Sequence, residues 1–143
     1  MGQFVEFKQA LNLKQLGFVE KCDYVYHGHQ GLLCGPVNMK ETINPNLFAG
    51  MADVCAPTIS QVLKWFFEEH NYFISVQYNE EIKKFQCIIH KRTFTDGYPT
   101  YIKQNFKDED ELINYTLERC LEKAINKVLE LIKEDIGSFQ PLY

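Results

Sequence analysis

The sequence predicts an α+β domain of two layers: a mainly antiparallel sheet, helices packed on one of its faces, and a partial α-β-β-β-α order. Three observations predict it. A capped amphipathic stripe begins at Thr58. Two alternating runs, Tyr72 to Tyr78 and Phe85 to His90, follow it at once. A much longer apolar stripe runs from Ile113 to Ile132. Helical spacing of 3, 4 and 7 buries one stripe of a helix, whereas alternation buries one face of a strand. At 143 residues, with no repeat or linker, the chain reads as a single domain over 1–143.

The elements follow in order. Phe4, Phe7, Ala10, Leu11 and Leu13 predict a short helix over about 5–16, ended by Gly17. Asp23 to His27 is β-prone, Gly28 to Gly31 is turn chemistry, and Leu32 to Cys34 is an apolar return, so a hairpin is expected. Either glycine can take the positive φ of that turn. Residues 35–56 carry Gly35, Pro36, Pro45 and Gly50 and no sustained period. A strand-like piece near Val37–Ile43 or a helical turn near Leu47 is expected there, with its apolar residues over the core.

Thr58 with Gln61 three residues on is a capping-box pattern, and Ile59, Val62, Leu63, Phe66 and Phe67 form the stripe behind it. Asn71 suits the left-handed position that ends a helix. If both apolar strand faces lie on one side, Val76 opposes Cys87 and Ile74 opposes Ile89. Asn79 to Lys84 makes the connection. Asp96-Gly97 is a turn, and Tyr98 to Phe106 supplies another strand, placed at an edge by Pro99. The final helix is expected to start at an Asp108 cap with Glu109, Asp110 and Glu111 in its first turn. It would reach Gly137 and span roughly 40 Å at 1.5 Å per residue.

Composition narrows the function classes. The formal charge of −4 argues against a general nucleic-acid binder. No apolar run approaches the roughly 20 residues of a membrane span. Met1 to Glu6 lacks a basic region followed by an apolar one, and Glu6 stands where a myristoylation motif wants Ser or Thr. Five scattered cysteines read as free thiols in a reducing compartment, so a cytoplasmic location is expected. Eleven Phe and eight Tyr make the core or an interface ring-rich.

Several constellations carry chemistry on paper. Cys22, His27, His29 and Cys34 are all able to ligate zinc, but their spacing has no C-x2-C knuckle, and a solvated turn with two small thiols explains them more simply. Cys55 precedes a helix N-terminus, where a thiol can be activated, yet cysteine is also among the most buried residue types. Cys87 and His90, three apart on a strand, point to opposite faces and cannot form a catalytic pair. His70 reads as a partner of the helix dipole. The acidic group Asp108, Asp110 and Glu111 lacks the EF-hand pattern and reads as a cap. Lys83, Lys84, Lys91, Arg92, Lys103 and Lys107, interleaved with Phe94, Tyr98 and Tyr101, form the stretch able to meet a phosphate backbone. No residue is assigned a catalytic or cofactor role, and no cofactor is expected.

From Thr58 the order of elements is similar to that of a double-stranded RNA-binding domain. The place where that family carries a basic cluster holds Asp108-Glu109-Asp110-Glu111 here, so the likeness extends to topology and not to function. Leu16-Gly17-Phe18, Ala56-Pro57-Thr58 ahead of Gln61 and Trp65, and Phe106 ahead of an acidic stretch and an Ala/Leu-rich helix resemble small uncharacterised bacterial and prophage-encoded proteins. That resemblance implies one domain and no established activity.

The expected function is therefore that of a non-enzymatic accessory protein working through macromolecular, chiefly protein, contact. A homodimer through the final helix or a sheet edge is expected with it. The alternatives are a nucleic-acid module using residues 83–107 and a small zinc protein using the Cys22–Cys34 set.

Overall fold

Alternation and capping translate directly into the elements of the computed structural model, which describes residues 4–37, 44–107 and 112–137. The α+β class holds, with antiparallel pairing in two open sheets. Contacts group the chain into two units, Met1–Val62 and Leu63–Tyr143, and each unit holds one sheet.

In the first unit, α1 spans Phe7–Gln15 and buries Gln9, Ala10 and Leu13. Gly17, at φ +93°, ends it as the sequence predicts. Phe18 N–H donates to the Leu13 carbonyl at 2.9 Å and Gly17 N–H to that of Lys14 at 3.2 Å. This is the Schellman arrangement, and its two apolar partners, Leu13 and Phe18, are fully buried. The hairpin pairs β1 (Val25–His27) with β2 (Leu32–Cys34), and both Gly28 and Gly31 take positive φ. A third strand, β3 (Val54–Cys55), pairs with the other side of β1. A two-residue strand carries no period and leaves no pattern in the sequence.

The expected helical turn near Leu47 is present as a 3-10 turn over Pro45–Leu47. Residues 38–43 of the expected Val37–Ile43 piece lie outside the described residues. The expectation that the 35–56 segment lays its apolar residues over the core fails at Leu47, Phe48 and Met51, which are exposed. Asparagines anchor the segment instead. Asn44 donates to the Val19 carbonyl at 2.7 Å and Asn46 to that of Phe18 at 2.8 Å, while Asn46 accepts from Cys55 N–H at 2.9 Å. Two buried amides thereby satisfy backbone groups that no strand or helix pairs.

The α2 helix (Ile59–His70) begins in one unit and ends in the other. Its capping box is formed: Thr58 N–H donates to Gln61 Oε1 at 2.9 Å, and Gln61 N–H to Thr58 Oγ1 at 3.2 Å. Val62 and Phe66 are buried, and Trp65, absent from the expected stripe, is buried with them. Asn71, at φ +62°, turns the chain into the second sheet.

That sheet has the order β4-β5-β6, with β4 at Tyr72–Asn79, β5 at Lys84–Thr95 and β6 at Tyr98–Lys103. A short β7 (Ile113–Asn114) pairs with the start of β5. The register is the one the apolar pattern requires, with Val76 opposite Cys87 and Ile74 opposite Ile89. Asp96 and Gly97 both take positive φ between Thr95 and Tyr98, a two-residue type I′ turn. Pro99 lies on the edge strand β6, where its missing N–H breaks no ladder.

The last helix, α3 (Leu117–Gly137), packs on β5. It is shorter than expected, about 32 Å at 1.5 Å per residue. Ile113 belongs to β7, and Thr116 is the residue that caps the helix, its Oγ1 accepting from Arg119 N–H at 3.3 Å. The expected Asp108 cap and its acidic neighbours lie outside the described residues and outside α3. The acidic residue in the first turn is Glu118, so the sign of residues 108–111 says nothing about this helix's start. Cys120, Ala124, Ile125, Val128, Leu129 and Ile132 are buried along it.

The shielded sheet face tapers. Tyr72, Cys87 and Ile89 are buried, Ile74 and Phe85 are half-buried, and Val76 is 39% exposed. Full burial of an aliphatic side chain contributes roughly 1.5–3 kcal/mol, and its loss adds a cavity cost. Ile89→Ala is therefore expected to destabilise by about 2–5 kcal/mol. Val76→Ala, on the same face, is expected to cost under about 1 kcal/mol. Urea midpoints of the two variants check the contrast, and equal losses would contradict the taper.

Candidate functional site

The zinc candidates do not come together. Cys22 is buried, whereas Cys34 is exposed on β2. Cys22 lies against Cys55, which with burial pushes the Cys22 thiol well above its usual range. His27 Nδ1 is 3.1 Å from Asp53 Oδ1, and Gly28 N–H donates to the same carboxylate at 2.8 Å. Among the described residues no group of three or more His, Cys, Asp and Glu side chains is placed to hold a metal ion. The His-Gly-His turn is tied down by Asp53, a residue 26 positions from His27 that no local spacing could have indicated.

Cys55 lies in β3, 2% exposed. The Cys22 thiol beside it lowers the Cys55 pKa, and the Asn46 backbone adds to this. A substrate has no route to a sulfur so enclosed, and Cys55 Sγ stands 3.0 Å from Asn44 Oδ1 rather than from a base. Cys87 and His90 point to opposite faces, as their spacing requires. Cys87 Sγ is 3.1 Å from Cys120 Sγ under α3, and burial raises its thiol. His90 is half-buried on the other face, its ring centroid 6.5 Å from that of Phe73.

His70 does not act as the cationic partner of its helix. Burial, then the Lys91 charge, lowers its pKa, and its ring packs edge-on against Trp65 at 4.6 Å. The C-terminal turn of α2 takes its cations from the next strand but one. Lys91 Nζ donates to the His70 carbonyl at 3.1 Å and pairs with Asp135 at 3.1 Å. Arg92 donates through Nε to Asn71 Oδ1 at 3.0 Å and through Nη2 to the Phe67 carbonyl at 3.3 Å. Its guanidinium also lies 4.0 Å from the centre of the Phe67 ring. The negative end of the helix dipole favours such donors.

The six basic candidates therefore do not form one surface. Lys91 and Arg92 are neighbours on a strand and take opposite sides of the sheet. Lys84 stands over the Tyr115 ring at 4.6 Å. Lys83 forms the connection at φ +55°, and Lys103 and Lys107 are exposed. A hollow of about 410 Å3 bordered by Phe106, Lys107, Lys127 and Glu130 is present. Lys127 there is directed to Glu130 at 3.5 Å and to the Phe106 ring at 5.0 Å, so its charges neutralise one another.

The feature that remains is the sheet face turned away from α3. The pairing places Phe73, Ser75 and Gln77 of β4, Gln86, Ile88, His90, Arg92 and Phe94 of β5, and Pro99, Tyr101 and Lys103 of β6 on it. None of these residues is buried. Phe94 is 60% exposed, Tyr101 49% and Phe73 46%. Arg92 lies between rings, 4.0 Å from Phe67 and 5.4 Å from Phe94. No Asp or Glu occurs in any strand of this sheet, while Lys84, Lys91, Arg92 and Lys103 do. In a chain of net charge −4 this is a local reversal of sign. The exposed aromatic residues were visible in the sequence. Their shared face was not, because it depends on how far β5 continues past His90.

No family model matches the chain, and no curated protein or solved structure matches it either. Among the described residues no helix is long and apolar enough to cross a membrane.

Two predictions test the contacts that set this geometry. Arg92→Ala should destabilise by about 1.5–3 kcal/mol, the range for hydrogen bonds to a charged group, and Lys103→Ala should change stability by under about 0.5 kcal/mol. The Gly28 amide, then His27, holds the Asp53 carboxyl below its usual range. A carboxyl depressed in the folded state contributes stability above its unfolded pKa, and that contribution is lost as pH falls through the folded one. Asp53→Asn should thus lower the urea midpoint at neutral pH and flatten its decline in acid. Parallel acid profiles for both proteins would remove Asp53 from that role.

Proposed function

We propose that this protein is a non-enzymatic accessory module, cytoplasmic and akin to small bacterial and prophage-encoded proteins, that works by binding another protein. The observation that carries this reading is the open face of the four-stranded sheet. Exposed Phe73, Phe94 and Tyr101 lie with Arg92 and Lys103 on a surface whose strands contain no acidic residue. Aromatic residues and arginine are the side chains that dominate protein interfaces. The sign of the face favours an acidic segment of the partner. Self-association belongs to the same reading.

A single-stranded nucleic acid is the second reading, because rings beside cations also stack bases and meet phosphates. The division of Lys91 from Arg92 and the ties on Lys84 weigh against it, since they leave fewer cations for a backbone to follow.

The test compares affinity capture from the native host by the unaltered chain and by a Phe94→Ala/Tyr101→Ala variant. Both positions are exposed, so the fold is retained. A protein held by the first and weakened at least about tenfold with the second supports the proposal. Equal capture overturns it. Binding of a single-stranded RNA oligonucleotide that falls steeply with salt and with Lys103→Glu would replace it with the nucleic-acid reading.

A further inference from the structure

We infer that the outer edge of β4 is a self-association surface, where two copies pair β4 antiparallel and join their sheets into one. The strand Tyr72–Asn79 is the terminal member of the order β4-β5-β6, so one side of its backbone has no strand partner among the described residues. Among the described residues no backbone hydrogen bond reaches it from that side. Such an edge is a template for another strand, and proteins guard edges with charge, proline or brevity. β4 has none of these guards. It is eight residues long and contains neither proline nor any charged residue. The opposite edge, β6, carries both Pro99 and Lys103.

The composition of β4 selects a second copy as its occupant. An antiparallel self-pair sets each residue against one from the same uncharged strand, so no like charges meet. Of the registers that keep both faces aligned, two overlap the strand most fully, one with Ser75 opposite Ser75 and one with Val76 opposite Val76. In the first, Ile74 meets Val76, Tyr72 meets Tyr78 and Phe73 meets Gln77. These are the β-branched and aromatic cross-strand pairs that stabilise sheets. The side chains left exposed on this strand fit the same partner. Phe73 on one face and Val76 and Tyr78 on the other are all partly exposed, and an added strand would cover part of each. The edge is separate from the open face, so this inference extends the binding reading without depending on how the face is occupied.

The test is the solution mass of the intact chain, followed by a charged edge. Sedimentation velocity at micromolar concentration is expected to give twice the mass of one chain. Ser75→Lys with Gln77→Lys sets lysines against lysines in either register and should raise the dimer dissociation constant at least about tenfold. A monomeric wild type, or a dimer indifferent to the two lysines, overturns the proposal. Since the variant could fail to fold, hydrogen exchange of the unaltered chain supplies a second measurement. Amides of Phe73 to Tyr78 should exchange more slowly in concentrated than in dilute protein. No change in β4 with concentration overturns it as well. A monomer that still captures its partner through Phe94 and Tyr101 would leave the face proposal standing.

Discussion

The pairing of β4 with β5 is the constraint on which the second unit depends. A sheet has a side-chain period of two, so one register alone places Ile74 and Val76 beside Ile89 and Cys87. A slip by one residue would either turn Phe73 and Ser75 toward α3 or, with β4 held in place, move Ile89 to the open face. The penalty is large because Cys87 and Ile89 are buried beneath a helix whose inner stripe, Cys120 to Ile132, is itself buried. The same register decides the opposite surface, since every residue assigned to the α3 face assigns its neighbour to the open one. Core and candidate site are two sides of one choice.

Polar ties complete what the apolar register begins. Tyr72 OH donates to Asp135 at 2.7 Å, and Lys91 reaches the same carboxylate, so the root of the sheet is pinned to the last turns of α3. Burial, then this carboxylate, raises the Tyr72 hydroxyl. Arg92 works from the other side by satisfying the end of α2. Two adjacent cations thus serve two different elements, a direct outcome of strand alternation. A cluster of basic residues in a sequence is therefore weak evidence for a nucleic-acid surface when it falls on a strand.

In the first unit two buried amides organise the segment that has no period. Asn44 and Asn46 satisfy carbonyls after α1 and the amide of Cys55, and the cysteine next to them is enclosed rather than reactive. Asp53 holds the hairpin turn through Gly28. These links explain why a segment without period can be ordered, and why a His-rich turn need not be a metal site.

The sequence by itself determined what depends on neighbours along the chain. It determined the Schellman end at Gly17, the box at Thr58, the left-handed Asn71, the Asp96-Gly97 turn and the β4–β5 register, because period and backbone conformation are local properties. It did not determine the start of α3, where an acidic run imitates a cap while Thr116 supplies it. Nor did it reveal Trp65 in the core or the short β3 pairing. Only the tertiary structure decided which side chains meet across long separations, such as Asp53 with Gly28, Cys87 with Cys120 and Arg92 with the end of α2. It also decided that the exposed rings share one face and that β4 is the terminal strand of its sheet among the described residues. Those outcomes depend on which strands pair and where they stop, and hydrogen-bonded strand order leaves no trace in a local pattern of residues.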